Sequence, residues 1–150
     1  MLTDVHRGQF VISTDQSRLD LNAIHAFLTR SYWSEGISRG RVARSVSESL
    51  AFGLFDAVRQ IGFARVITDR ATFAYLCDVY VLAEYRGRGL GKWLMEVVRS
   101  HPDLQGRRRF VLVTRDAHSF YSRYGFKALA NSDGYLEICH PDVYRTRTED

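Results

Sequence analysis

The sequence predicts a mixed α/β (α+β) domain, a central and mostly antiparallel sheet with about four helices on its faces. Three observations predict it. Apolar residues recur at helical spacing in four places. Between the second and third of these, from Leu50 to Leu82, the period shortens to two, with short polar breaks. The length of 150 residues suits a single domain over residues 1–150, long enough to bury a core without disulfides or metals.

The elements follow in order. Phe10-Val-Ile-Ser-Thr14 reads as a first strand. Asp20 is placed to cap a helix whose Leu21, Ile24 and Leu28 share a face, and Ser38 a second with Val42, Val46 and Leu50 aligned. Leu50, Phe52 and Leu54 then alternate, as do Ile61 and Phe63, and the run 73–82 is aromatic and β-branched. Breaks at 56–59 and 69–71 make these a three-stranded antiparallel meander. After a glycine-rich turn, Leu90, Leu94, Val97 and Val98 mark an amphipathic helix stopped by Pro102. Phe110-Val-Leu-Val113 is a short buried strand. Ala117, Phe120, Tyr121 and Tyr124 lie on one face of a last helix, which Gly125 ends. The runs 126–129 and 136–139 are expected as closing strands around the Asn131-Ser-Asp-Gly134 turn.

Composition narrows the classes. Apolar residues at 45% and charged residues at 25% are globular averages, which excludes disorder, collagen and coiled coil. No apolar stretch reaches the roughly 18 residues of a membrane span, and the first ten residues lack a signal peptide's apolar core, so a cytoplasmic protein with no membrane partner is expected. Cys77 and Cys139 make neither a disulfide framework nor a zinc set, and no metal is expected. Net charge is +4, with only two of the 21 basic residues lysine. Arginine suits bidentate phosphate recognition, although genomic codon bias accounts for the same excess.

The turn Arg86, Gly87, Arg88, Gly89, Leu90, Gly91, Lys92 carries the most chemistry. A strand, then small residues with free backbone N–H groups, then a helix N-terminus makes an anion site. Two nucleotide loops fail here. A Walker A loop needs glycine where Arg86 stands and Ser or Thr where Trp93 stands. A dinucleotide fingerprint needs glycine at Lys92 or, in the other register, at Leu94, and a βαβ unit that the meander does not supply. What remains is [Q/R]-x-x-G-x-[G/A], met by Arg86, Gly89 and Gly91.

The stretch Asp78-Val-Tyr-Val-Leu-Ala-Glu-Tyr-Arg-Gly-Arg-Gly-Leu-Gly-Lys92 resembles the acetyl-CoA signature of GNAT-type N-acetyltransferases, and Ala117-His-Ser-Phe-Tyr-Ser-Arg-Tyr-Gly-Phe126 resembles that family's A-x-x-F-Y-x-x-x-G-F helix. The resemblance covers residues 10–129 and implies the GNAT-like fold. It implies acetyl-CoA as co-substrate, its pyrophosphate on the amides of residues 86–92 and its pantetheine arm along the backbone of Val79, Tyr80 and Val81. It also implies that Tyr121 protonates the departing thiolate. Spacing alone allows Tyr121 and the two valines to be core residues instead. Many members carry an Asn that contacts the CoA arm where this chain has Thr114, whose hydroxyl can still donate or accept there.

The acceptor is less legible. An alkylammonium of pKa about 10.4 is only about 1 part in 2,500 nucleophile at neutral pH. The stretch around Asp78 resembles diamine and polyamine acetyltransferases, with Cys77 replacing the first of their two acids. Asp78 is therefore expected to hold a cationic acceptor, or else to be an ordinary strand carboxylate. Tyr32, Trp33 and Glu35 fall where the family's acceptor pocket is walled, with Trp33 equally suited to plug the loop. His118, at a helix N-terminus, is a candidate base or a simple first-turn residue. The expected activity is N-acetylation of a small-molecule primary amine by direct attack. A non-catalytic acyl-CoA sensor and an acetyltransferase of protein amines are the alternatives. Arg107, Arg108 and Arg109 read as a solvated turn rather than a nucleic-acid site. A homodimer is the commonest assembly for such a chain.

Overall fold

The computed structural model describes residues 3–146. Strands β1 (Asp4–Arg7) and β2 (Phe10–Ser13) form a hairpin about Gly8, whose φ of +58° suits a two-residue turn. Helix α1 (Leu21–Leu28) starts where Asp20 accepts from the Ala23 N–H, and α2 (Arg39–Ser47) where Ser38 accepts from Arg41, so both caps are where the sequence puts them. The meander follows as β3 (Leu50–Asp56), β4 (Arg59–Thr68) and β5 (Phe73–Val81). Then come α3 (Leu90–Ser100), β6 (Arg109–Leu112), α4 (His118–Ser122) and the single turn α5 (Val143–Thr146).

The six strands lie in sequence order, all neighbours antiparallel except β5 and β6, which run parallel. Each face has its own core. On one, Leu90, Trp93, Leu94, Met95, Val97 and Val98 of α3 pack on Ile12, Phe52, Leu54, Ile61, Val66 and Leu76. On the other, Ile24 and Leu28 of α1 and Val42 and Val46 of α2 pack on Ala51, Phe63 and Tyr80. Burial of each such side chain contributes about 1.5–3 kcal/mol before entropy is charged.

Two departures from the sequence reading stand out. β1 is not expected from the sequence, because three of its four residues are exposed and polar, leaving no apolar alternation. The expected closing strands do not form. Phe126 turns in against Phe110 and Tyr121, with ring centroids 5.2 and 6.0 Å away, but residues 127–140 are exposed and join no ladder. An isolated extended segment has no partner for its backbone groups, so alternation alone does not make it a strand.

Candidate active site

The site arises from a defect in β5. Phe63 pairs with Tyr80 but Arg65 with Cys77, so Ala64 faces two residues, and the extra one, Asp78, has φ of +57°. This bulge exchanges the faces of the strand. Before it, Ala74 and Leu76 point to the α3 side; after it, Val79 and Val81 do, while Tyr80 joins the opposite core. The parallel ladder with β6 stops just short of the bulge, at Leu76↔Leu112. β6 itself ends there, so residues 77–81 of β5 have no ladder partner on that side among the described residues.

At the end of β5 lies the glycine-rich turn. Gly87 and Gly89 have φ of +81° and +77°, and a Cβ on either would meet nothing within 4 Å. Gly89 is the N-cap of α3 and no side chain caps that end. Its first-turn amides are therefore left for a ligand, and the helix dipole favours an anion there. Arg86, Arg88 and Lys92 are exposed around it, while the Leu90 side chain is buried in the core, so Leu90 offers only its backbone. Arg86 Nε donates to the Val81 carbonyl at 2.9 Å, and the Arg88 guanidinium lies 5.1 Å from the Tyr85 ring. A Cβ at Gly91 would stand 3.9 Å from the Phe120 ring, an ordinary contact.

Asp78 is only 7% exposed. One of its oxygens accepts from Trp33 Nε1 at 2.9 Å, the other from Arg65 Nε at 2.8 Å. Burial works against the Arg65 guanidinium, yet Asp78 beside it carries its pKa above the ordinary value. Arg65 also donates to Ser49 Oγ at 3.0 Å. Asp78 thus anchors the loop that carries Tyr32 and Trp33, which leaves less of the carboxylate for an acceptor than the sequence suggests. Sequence reasoning passed over Arg65, although a lone arginine between Ala64 and Val66 in an apolar strand is a signal of a buried partner.

Trp33 packs on Phe27, and Phe27 stacks on Tyr80 at 3.9 Å with the rings nearly parallel. Tyr32 reaches the segment that follows β6. The Arg115 guanidinium sits 3.8 Å over its ring and the Arg115 N–H donates to its hydroxyl at 3.4 Å. Arg115 is a contact that the sequence reading did not find. Glu35 points away, into an ion pair with Arg145 at 3.2 Å.

Tyr121 stands on α4, half-buried between Phe120 and Phe126. Burial, with the Tyr32 phenol adding to it, pushes its pKa up to about 12, so it stays a proton donor at neutral pH. Thr114, His118 and Tyr121 line one open cleft of about 880 Å³ beside β6. The Thr114 hydroxyl accepts from the Ala117 N–H at 3.0 Å, which fixes the entry to α4. His118 is exposed. Burial pushes the Cys77 thiol up to about 12, so it is not a thiolate nucleophile. Of the expected residues, the structure joins Tyr32, Trp33 and Asp78 by direct contact, gathers Thr114, His118 and Tyr121 along the cleft beside β6, and turns Glu35 to Arg145. Among the described residues no group of three His, Cys, Asp or Glu is arranged to hold a metal ion, and no helix is long and apolar enough to cross a membrane.

Comparison with known proteins completes the picture. Residues 48–128 match the family model for the acetyltransferase (GNAT) domain. A candidate acetyltransferase of Gibberella zeae is 31% identical over an alignment of 152 positions, gaps included, that covers 85% of each chain. The crystal structure of a candidate GNAT-family acetyltransferase from Xanthomonas campestris pv. campestris is 48% identical and covers 94% of this chain and 100% of its own, with a TM-score of 0.91. N-acetylglutamate synthase from Neisseria gonorrhoeae, solved with coenzyme A and L-arginine, shares the fold at 19% identity and a TM-score of 0.68, over 93% of this chain and 32% of its own.

Proposed function

The chain belongs to the GNAT family of acetyltransferases, and from that premise we propose that it moves the acetyl group of acetyl-CoA to a primary amine of a small molecule by direct attack. The observation that carries this reading is the uncapped, glycine-lined start of α3, which follows a β5 end free of ladder pairing to β6, in a chain whose Tyr121 phenol stays protonated. The coenzyme A bound by the Neisseria gonorrhoeae enzyme of the same fold supports the choice of acyl carrier.

The residues fit such a donor. Amides of residues 87–91 would hold the pyrophosphate, with Arg86, Arg88 and Lys92 adding positive charge. Backbone groups of Val79, Tyr80 and Val81 that no ladder with β6 uses would pair with the amides of the pantetheine arm as an added strand does, with Arg86 giving up the Val81 carbonyl where needed. In the reaction the amine nitrogen bonds the acetyl carbon, the thioester C–S bond breaks, and the amine's proton leaves to solvent. Tyr121 supplies a hydrogen bond or proton to the thiolate and recovers it from water. A phenol of pKa about 12 does not give up its proton fully to a thiolate of about 8.5, so its contribution is chiefly electrostatic.

The acceptor amine pays about 4.6 kcal/mol to become neutral at pH 7. Asp78, together with the faces of Tyr32 and Trp33, would hold its cationic form nearby, sharing the carboxylate with Arg65. The test is release of free CoA thiol from acetyl-CoA with a panel of diamines, amino acids and amino sugars. Turnover with one amine class is expected. Tyr121→Phe should lower kcat by about 100-fold while the KM for acetyl-CoA stays within a factor of two or so. An unchanged kcat in that variant would remove Tyr121 from the chemistry, and silence across the panel would remove the small amine.

A further inference from the structure

The carboxylates and the thiol around the Tyr32–Trp33 loop offer an incoming cation no unmatched negative charge. Asp78 faces the Arg65 guanidinium at 2.8 Å, so that pair carries no net charge. Glu35 is turned to Arg145 at 3.2 Å. The Cys77 thiol beside Asp78 is pushed up to about 12 by burial and stays neutral. An acceptor whose only charges are ammonium groups therefore finds a hydrogen bond here but little net attraction.

Arg115 is in the opposite condition. Its guanidinium lies 3.8 Å over the Tyr32 ring, and its backbone N–H donates to the Tyr32 hydroxyl at 3.4 Å, so side chain and backbone are both tied to Tyr32. At that distance the contact is with the ring face, which leaves the in-plane N–H groups available. None of them makes a hydrogen bond among the described residues. Asp116 stands 3.9 Å away, and the two side chains are 65% and 69% exposed. An exposed pair of that kind contributes little and yields to a bidentate oxyanion.

Position ties Arg115 to the site. It follows Thr114, which shares the cleft beside β6 with Tyr121, and the Tyr32 phenol beneath it is close enough to Tyr121 to raise that group's pKa. From Tyr32 the contacts run on to Trp33, with ring centroids 5.1 Å apart, and through Trp33 Nε1 to Asp78 at 2.9 Å. Both rings keep part of their surface open, Tyr32 at 45% and Trp33 at 38%. A matched carboxylate and an unmatched guanidinium are thus joined by two half-open aromatic rings. That surface suits a molecule with an amine at one end and an oxyanion at the other.

We propose that the acceptor is an amine that also bears a carboxylate or a phosphate, and that Arg115, laid on Tyr32, receives this oxyanion in a bidentate contact. The proposal rests on the acetyl-transfer reading above and narrows it to anionic amines. Arg115 is then a specificity residue, which touches the substrate away from the reacting nitrogen.

The test is release of free CoA thiol with matched acceptors, compared per neutral amine. Glycine, β-alanine, γ-aminobutyrate and δ-aminovalerate are set against their carboxamides, and phosphoethanolamine against ethanolamine, with putrescine as the dication. The first set reads a carboxylate and the second a phosphate. In at least one pair the anionic member is expected to have kcat/KM at least about tenfold higher, the scale of a charge-assisted hydrogen bond. Arg115→Gln should bring that ratio within about twofold of one, and Arg115→Lys should keep part of it. Arg115→Glu should turn the preference towards putrescine. Arg115 is exposed, so these variants are expected to fold as the wild type does. A side chain that only shapes the Tyr32 loop would lower both members of a pair alike and leave their ratio at the wild-type value, which would overturn the proposal. A wild type without any oxyanion preference would overturn it as well. Both results leave acetyl transfer to amines standing, whereas silence with every amine would remove the transfer reading and this one with it.

Discussion

Asp78 joins three levels of the molecule. Its left-handed backbone makes the bulge, and Asp and Asn are among the few residues with side chains that adopt that conformation readily. Its carboxylate neutralises a buried guanidinium and holds Trp33 in place. Asp78→Asn keeps the bulge and one acceptor but strands the Arg65 charge, and loss of one partner of a buried pair is costly. We expect a loss of stability of up to about 3 kcal/mol by urea titration. We also expect a rise in KM for the amine with KM for acetyl-CoA nearly unchanged, since residues 79–81 and 86–92 would hold the donor through backbone groups that this side-chain change leaves in place. Amine kinetics that match the wild type would confine Asp78 to architecture. The pH profile belongs to the same scale. With Tyr121 at about 12, kcat/KM for an amine should rise with pH towards the amine's own pKa, and no falling limb from this phenol should appear below about 12.

At the scale of elements, α3 couples the core to the anion site. Its buried face is read directly from Leu90, Leu94, Val97 and Val98, and its open end from the three glycines before and within the first turn. Gly89 tests whether conformation or space matters there. A Cβ meets nothing within 4 Å, so Gly89→Ala costs only the strain of φ at +77°, about 1–2 kcal/mol. That strain either destabilises the fold or tilts the amides that a phosphate needs. We expect KM for acetyl-CoA to rise about tenfold with kcat nearly kept, as measured by thiol release; an unaltered KM would show that the amides at Gly89 do not hold the donor. This legibility has a physical boundary. Caps, periodicity and glycine signals are local, so α1, α2, the meander and α3 were readable. The Asp78 bulge, the Asp78–Arg65–Trp33 cluster and the Tyr32–Arg115 contact depend on which strands pair and where pairing stops, which no local pattern encodes. Residues 136–139 show the converse: a strand pattern is present but the segment joins no ladder among the described residues.

At the scale of the whole molecule, charge and stability meet in the donor. The chain carries a net charge of +4, and Arg86, Arg88 and Lys92 place positive charge at the start of α3. A phosphate-bearing ligand that binds only the folded state stabilises it by about 2.7 kcal/mol at 100 times its dissociation constant. For a chain of this size each kcal/mol moves Tm by about 2–4 °C, so saturating acetyl-CoA should raise Tm by about 5–11 °C. Two arms separate the field from the packing. Acetate or a simple thioester without phosphate should leave Tm unchanged, because it engages no amide at the turn. Added salt should weaken the acetyl-CoA shift progressively, since interactions of exposed charges are screened within about 10 Å at 0.1 M. A shift indifferent to salt would assign affinity to the pantetheine edge of β5 rather than to the turn, and no shift at all would remove acetyl-CoA as the donor.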